Sequence, residues 1–494
     1  MTDAARDESQ SLRHYRETFV SATRTLGGQE QEETFSRIKR AGDASLNPRR
    51  LYHTLAHFQE ISAAAHLRLL EDMAPFQEEF RKLGLMPLYD VVVAVMVRAG
   101  AHHDIIYHVD RDYIPADILR DETFGILPPR SIDAPHSDYV VTSAEPPGEA
   151  GVIVDMARVV FDVLPRDILT QFGGKNEFLS AVYAGLQGWK EGIPLKYLLA
   201  EMAMIEATRP FDPPDRLARL RIRFESANRL LPAASQLDRE EMDAFLLGAA
   251  QLANVDVLDF ARDFNHFLKG SVNLLLEAGR PVITLEDYFI RARNREAFFL
   301  NLLSKLHNGD AAVFHSLAVS RGGESCFPPR GAVEICEKRA RENIRKDVLM
   351  SRALKVATAL SAAIEATYGE GNLDAISSLL EANQAQMLAG YPAMRDPSMM
   401  ETAMAIRDGA HSIPLLGLAS YLLGHLSETS LLRLSEKTSH QFQAYQERFT
   451  AAFATRKTAR ELLEWQGEYQ EMAGLETIIA QALGYEEKQQ QQAK

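Results

Sequence analysis

The sequence predicts an all-α protein: a helical bundle in the first half, followed by a second, mostly helical region. Apolar residues recur at the three-to-four-residue spacing of a helix, and alternating strand patterns are scarce. The clearest apolar stripe runs from Leu349 to Ile364. Three further segments have a less regular helical character, namely 244–253, 297–306 and 413–426. The fold class therefore rests on helical periodicity and on the lack of strand patterns.

The run Val91 to Val97 is the one ambiguous element. Its β-branched residues favour a strand, but the apolar stretch continues to His103 with only Gly100 to interrupt it. We therefore predict a buried helix that ends at a histidine.

The chain of 494 residues is long enough for two or three domains. The loop at 231–238 is the best candidate boundary between the halves. We predict a first, metal-binding domain over 1–235, a helical domain of unknown role over 236–350 and a C-terminal helical region over 351–494.

Composition excludes several classes of protein. With 54 Lys and Arg against 68 Asp and Glu, the net charge of −14 argues against nucleic-acid binding. Only Cys326 and Cys336 are present, which excludes a disulfide framework and a multi-thiolate zinc site. No secretory signal and no membrane-spanning stretch of about 20 apolar residues is visible, so we expect a cytoplasmic protein with no membrane contact.

Histidines are concentrated in one part of the chain: six of the 14 lie between positions 53 and 108. His53 and His57 are four residues apart, which places them on one face of a helix that Asn47 can cap. Arg50 lies in the first turn, where free backbone N–H groups also favour an anion. Such a helix start could hold a metal and a phosphate together. The spacing is permissive, however, and is equally compatible with ordinary core or surface imidazoles.

Three other elements with an aspartate follow apolar runs. His103 and Asp104 come at the end of the predicted buried helix, where polar ligands are costly unless they are paired or bind a metal. Asp155 follows the apolar run at 151–154 and opens what we predict to be another helix. Asp256 is embedded in the same way. Each of these two aspartates is equally compatible with a helix cap or an exposed position.

Taken in order, these elements resemble the HD superfamily of metal-dependent phosphohydrolases, over roughly residues 30–235. The resemblance is closest to a predicted-phosphohydrolase branch. It is carried by Arg50, Tyr52, His53 and His57, by His103-Asp104-Ile105-Ile106-Tyr107, by Tyr139-Val140-Val141-Thr142 and by Asp155-Met156-Ala157.

The resemblance implies an HD-like helical bundle that binds a divalent transition metal and hydrolyses a small phosphorylated substrate. The implied metal ligands are His57, His103, Asp104 and Asp155. Imidazole and carboxylate ligands suit Mn²⁺, Fe²⁺, Co²⁺, Ni²⁺ or Zn²⁺. A phosphomonoester or phosphodiester, including a nucleotide, is the expected substrate.

We assign further roles on the same basis. Asp104 would accept the proton of the attacking water, and His53, one turn from His57, would protonate the leaving oxygen. Arg50 would stabilise charge on the phosphoryl oxygens, and His108 is a candidate for substrate binding or for the proton donor.

The chain departs from the branch pattern in two places. His108-Val109-Asp110 stands where an acidic pair is usual, and no histidine follows Thr142 closely. A second hypothesis is therefore a helical interaction or regulatory protein with a degenerate HD domain, which would bind a protein partner through its C-terminal half.

Overall fold

In a computed structural model of the protein the fold is all-α, which confirms the predicted class. The structure describes residues 3–29, 34–36, 38–39, 69–106, 139–140, 148–164, 167–169, 175–264, 266–267, 270–271, 284–319, 325–368, 419, 422–423 and 426–444. Its described part divides into two compact units.

The first unit is built mainly from Met1–Leu258 and Asn308–Lys338. Its helices are α1 (Asp3–Thr25), α2 (Leu69–Lys82), α3 (Tyr89–His102), α4 (Glu149–Phe161), α5 (Lys175–Lys190), α6 (Leu195–Ala207), α7 (Arg216–Asn228) and α8 (Arg239–Asp256). Two antiparallel strand pairs accompany them: β1 (Tyr139–Val140) with β2 (Ile168–Leu169), and β3 (Leu317–Val319) with β4 (Ser325–Phe327). Tyr139 lies opposite Leu169, and Leu317 lies opposite Phe327.

The second unit contains most of α9 (Leu285–Asn308), the larger part of α10 (Arg330–Tyr368) and α11 (Glu428–Ala444). Its interior holds paired charges: Arg295 Nη2 lies 2.6 Å from Asp347 Oδ2, and Lys355 Nζ lies 2.6 Å from Glu296 Oε2. These pairs satisfy buried charged groups that would otherwise destabilise the unit.

Helix α3 lies at the centre of the first unit. Val92, Val95 and Met96 are fully buried, and the helix packs against α1, α6 and α8. Burial against helices on several sides outweighs the strand preference of its valines, so the predicted helix is confirmed. Gly248 allows α8 to approach α3 closely, since a Cβ at that position would lie 2.7 Å from Val92 Cγ1.

Helix α8 has a well-defined start. Asp238 Oδ1 accepts the backbone N–H of Glu241 at 2.8 Å, and the Glu241 carboxylate accepts the backbone N–H of Asp238 at 3.0 Å. This capping box satisfies the first free donors of the helix and fixes where its 18 residues begin.

The loop at 231–238 joins two helices of one core. Asn228 and Leu237 exchange two hydrogen bonds of 2.9 Å between the asparagine amide and the leucine backbone, so the connection from α7 to α8 is tightly held. Both helices belong to the first unit, whose first segment runs to Leu258.

Three of the predicted helical segments are confirmed: 244–253 lies within α8, 297–306 within α9 and the stripe 349–364 within α10. The expectation that Asp155 opens a helix is wrong, because α4 begins at Glu149, after Gly148 at a φ of 70°. The predicted helix around 47–57 and most of 413–426 lie outside the described residues. Within the described residues, no helix combines the length and apolar character needed to span a membrane.

Candidate functional site

The predicted His-Asp pair lies at the C-terminal end of α3. The backbone N–H of His103 donates to the carbonyl of Ala99 at 2.9 Å, which closes the last turn of the helix. His103 is 1% exposed and Asp104 is 8% exposed. Two polar side chains are therefore buried at the point where the apolar helix ends, as the sequence predicts.

His103 faces two carboxylates. Its Nδ1 lies 2.9 Å from the Gly100 carbonyl oxygen, which can only accept, so Nδ1 carries a proton. Its Nε2 lies 3.1 Å from Asp104 Oδ2 and 3.3 Å from Asp256 Oδ1. Two anionic oxygens against one ring nitrogen require a positive charge between them.

The two carboxylates also affect the pKa of the His103 ring. Burial alone would lower the pKa of His103, but the carboxylates of Asp104 and Asp256 raise it well above the usual value. Either a proton on Nε2 or a bound cation would satisfy this arrangement. Metal-binding histidines commonly donate their other ring N–H to a backbone carbonyl, as Nδ1 of His103 does.

Asp256 is the last residue of α8, and it was not among our assigned ligands. Asp155, which we assigned, lies in the middle of α4 with a side chain 43% exposed. Its Oδ1 accepts a hydrogen bond from Arg158 Nη1 at 3.2 Å. The structure thus places Asp256 beside His103, while Asp155 is partly exposed and pairs with Arg158.

The remaining predicted site residues, Arg50, His53, His57 and His108, lie outside the described residues. Within the described ranges, no three His, Cys, Asp or Glu side chains are arranged to hold a metal ion. The donor types of His103, Asp104 and Asp256 nevertheless fit a transition metal, and the cluster has the tautomer such a site requires.

The neighbouring His102 has a different environment. Its Nδ1 lies 2.8 Å from Glu201 Oε1, and its ring packs edge-on against Phe19 at 5.6 Å between centroids. Glu201 also pairs with Arg98, whose Nη1 lies 2.9 Å from Glu191 Oε2. These groups hold α3 against α6 and the end of α5, which gives His102 a structural role.

A pocket of about 390 Å³ lies between the end of α4 and the start of α7 in the same unit. Four arginines line it: Arg209, Arg216, Arg219 and Arg223. Three aspartates also line it: Asp162, Asp167 and Asp212. We call this the arginine pocket.

Glu177 connects the arginine pocket electrostatically with the His-Asp pair. Burial and the negative charge of Asp104 raise the pKa of Glu177 to about 7, while Arg209 and Arg216 act in the opposite direction. A single carboxyl group is therefore within electrostatic range of Asp104 and of two pocket arginines.

His315 is a further buried imidazole in this unit. Burial, together with the positive charge of Arg216, lowers the pKa of His315 to about 3, so the ring is neutral. Its backbone is fixed by Asn254, which donates to the His315 carbonyl and accepts its N–H, both at 2.8 Å. Asn254 precedes Asp256 by two residues on α8, so this contact supports the end of the helix that carries Asp256.

The sequence held signals for two of the groups that we missed. Asp256 follows a buried apolar helix, just as His103 and Asp104 do. Arg216, Arg219 and Arg223 have the spacing i, i+3, i+7, which places them on one helical face. Glu177 and His315 carry no local signal, because their setting arises only from tertiary packing.

Comparisons with protein-family models, curated proteins and solved structures find no match to this chain. Functional inference therefore depends on the site itself.

Proposed function

We propose that this protein is an HD-type, metal-dependent phosphohydrolase that acts on a small phosphorylated molecule. The observation that carries the proposal is the position of His103 Nε2, buried between the carboxylates of Asp104 and Asp256. An imidazole and two carboxylates from two separate helices are a donor set for Mn²⁺, Fe²⁺, Co²⁺, Ni²⁺ or Zn²⁺.

His103, Asp104 and Asp256 would hold the ion, with His57 as the further ligand that the resemblance implies. When bound, such an ion polarises a phosphoryl oxygen and makes hydroxide available near neutral pH. The Gly100 carbonyl orients the imidazole of His103. As a carboxylate at this cluster, Asp104 would accept a proton from water, and His53 stays the predicted proton donor to the leaving oxygen.

The surroundings of the cluster support a charged substrate. Arg209 and Arg216 lie within electrostatic range of Glu177, which in turn senses Asp104. Where these arginines reach a bound phosphoryl group, they would stabilise the negative charge that builds up on it during its transfer. Arg50 and His108 stay predicted substrate contacts, and a cytoplasmic location stays our expectation.

The test compares Asp155 and Asp256, which are the two candidates for the same metal-ligand position. Purified full-length protein is analysed for bound transition metal and for hydrolysis of an aryl phosphate. We expect Asp256→Asn and His103→Ala to lose most of the metal and at least about a hundredfold in activity, since both remove a ligand. Asp155→Asn is the matched control and should retain metal and activity, because its carboxylate pairs with Arg158 at the surface.

The outcome discriminates clearly between the possibilities. If folded Asp256→Asn and His103→Ala keep both the metal and the activity, the proposal is wrong. If Asp155→Asn alone loses them, the ligand assignment made from the structure is wrong and that made from the sequence is right.

A further inference from the structure

We propose that the arginine pocket is an anion subsite that binds a doubly charged phosphoryl group, and that it holds the substrate by this group. The claim that the bound group belongs to the substrate rests on the proposed function. The claim that the pocket binds phosphate is independent of that function, because it depends only on the arginines described below.

Arg209 provides uncommitted hydrogen-bond donors. Its nearest carboxylate oxygens are Glu206 Oε1 and Asp212 Oδ2, both at 3.7 Å, which is beyond hydrogen-bonding distance. Its side chain makes no hydrogen bond to another described residue, although a guanidinium has five N–H donors. The side chain is 21% exposed, so a ligand that enters from solvent can reach it.

Arg216 and Arg223 add charge that neighbouring groups only partly neutralise. Arg216 is 3% exposed, and its two terminal nitrogens donate to the backbone carbonyls of Arg209 and Glu206, which carry no net charge. Arg223 Nη2 donates to Glu206 Oε1 at 2.6 Å, while its Nε finds no acceptor among the described residues. The guanidinium groups of Arg209, Arg216 and Arg223 thus share two carboxylates, those of Glu206 and Asp212.

The arginines are held in place before any ligand arrives. Arg216, Arg219 and Arg223 share one face of α7. Arg216 is fixed by backbone contacts, and Arg219 Nε donates to Asp215 Oδ2 at 2.8 Å. Donors that are already positioned bind more tightly, because little side-chain entropy is lost. The pocket is therefore preorganised for an anion.

The chemistry of the pocket favours phosphate over carboxylate. A carboxylate presents two oxygens and one charge, which a single guanidinium satisfies as a bidentate pair. A phosphoryl group offers three terminal oxygens and close to two charges, and so matches several arginines at once. The volume of about 390 Å³ also accommodates more than a single ion.

The three aspartates of the pocket affect anion binding in different ways. Asp167 is committed to its own turn, where Oδ2 accepts the backbone N–H of Leu164 at 2.7 Å. Asp212 lies 3.5 Å from Arg216 Nε and offsets part of that charge. Asp162 lines the pocket at the end of α4 with a φ of 55° and would repel an anion. Removing its charge should consequently strengthen binding.

The experiment measures binding of pyrophosphate and inorganic phosphate to the full-length protein by isothermal titration calorimetry at physiological ionic strength. Arg209→Gln should raise the Kd for pyrophosphate about tenfold, because it removes one charge-assisted contact. Arg219→Gln should raise it by a smaller factor, because the exposed Arg219 guanidinium already pairs with Asp215 at 2.8 Å. Asp162→Asn should lower it several-fold, and asparagine tolerates the left-handed backbone at that position.

Arg221→Gln is the matched control. Arg221 lies on the same helix but pairs with Asp243, away from the pocket. It should bind pyrophosphate as the unaltered protein does. The subsite proposal fails if the unaltered protein does not bind phosphate, if Arg209→Gln and Arg219→Gln bind normally, if Arg221→Gln is weakened equally, or if acetate binds as well as phosphate.

A second readout separates this proposal from the proposed function. Asp256→Asn should keep the pyrophosphate affinity while losing hydrolysis, since it does not line the pocket. In the active enzyme, Arg219→Gln should raise KM more than it lowers kcat. If Arg219→Gln weakens pyrophosphate binding but leaves KM unchanged, the pocket takes an anion other than the substrate, and its assignment as a substrate subsite is overturned.

Discussion

Replacement of Arg98 by methionine tests whether buried ion pairs stabilise the first unit. The Arg98 guanidinium is fully buried and makes three contacts: Glu201 Oε2 at 3.2 Å, Glu191 Oε2 at 2.9 Å and Thr23 Oγ1 at 2.7 Å. Methionine has a similar length and no charge, so it keeps the packing against Phe19 while removing the cation.

The expected loss in the free energy of unfolding is about 3–5 kcal/mol, the usual cost of removing one partner from a buried ion pair. Here the loss arises because Glu191 and Glu201, both about 1% exposed as side chains, keep their negative charges in the core. Since domains of this kind are stable by about 5–15 kcal/mol, the change is a large fraction of the total.

The pH dependence provides an independent check. Burial alone would raise the pKa of Glu201, but Arg98 and His102 bring it below the usual value. In the unaltered protein this stabilising contribution is therefore present above the pKa of the unfolded chain and is lost as the pH falls through the folded value. Without Arg98, burial raises the pKa of Glu201, so that acidification would instead stabilise the variant relative to pH 7.

The assay is urea unfolding followed by circular dichroism at pH 7 and at pH 5. The double variant Arg98→Met/Glu201→Gln should recover part of the loss, because it removes one of the unpaired charges. Arg81→Met is the control, since Arg81 pairs with Glu78 at the surface and should change stability by less than about 0.5 kcal/mol. A loss below about 1 kcal/mol for Arg98→Met, or no recovery in the double variant, would refute the reasoning.

Two more perturbations have defined outcomes. Gly248→Ala places a Cβ 2.6 Å from Met204 Cε and 2.7 Å from Val92 Cγ1, so it should cost about 1–3 kcal/mol by thermal unfolding, whereas Gly331→Ala, with no atom within 4 Å of the new Cβ, should cost nothing. Unchanged melting of Gly248→Ala would contradict the close approach of α8 to α3. For Glu177, burial and a neighbouring negative charge raise the folded pKa from 4.5 to about 7, so its charge destabilises the fold progressively as the pH rises between these values. Glu177→Gln should accordingly stabilise the metal-free protein at pH 8 by up to about 3 kcal/mol and by little at pH 4; equal effects at both pH values would exclude this explanation.

A site residue can be predicted from the sequence when a local pattern of apolar and polar residues is enough to identify it. The apolar run before His103 and Asp104 predicts a buried helix that ends in two polar groups, and the structure has this arrangement. The prediction works because burial on all sides leaves a nearly continuous apolar segment, and because a polar pair at its end needs a partner.

The choice between Asp155 and Asp256 could not be made in this way. Both follow apolar segments of a helix, and local composition is the same for an aspartate that faces the core and one that faces solvent. What separates them is the packing of α8 against α3, which depends on a small residue at Gly248 and on the capping box at Asp238. This information is distributed over contacts far apart in the sequence.

The arginine pocket could be predicted from the sequence only in part. The spacing of Arg216, Arg219 and Arg223 could have been recognised as one basic face of α7. Their relation to the end of α4 and to Arg209, however, is set by how α4, α6 and α7 pack together. A basic helical face is most often exposed to solvent, so the pattern alone does not predict a pocket.

The end of α3 shows how one short segment serves both stability and the candidate site. Successive residues of a helix are rotated by about 100°, so His102 and His103 face different neighbours although they are adjacent in sequence. His102 contacts Glu201, which Arg98 fixes from one turn earlier on the same helix. His103 contacts Asp104 and Asp256. Because the buried Arg98 network holds the axial position and rotation of α3, it also determines where the His103 ring lies relative to Asp256. Under the proposed function, a variant that weakens this network without unfolding the protein should therefore reduce metal content together with stability, even though none of its residues is a candidate ligand.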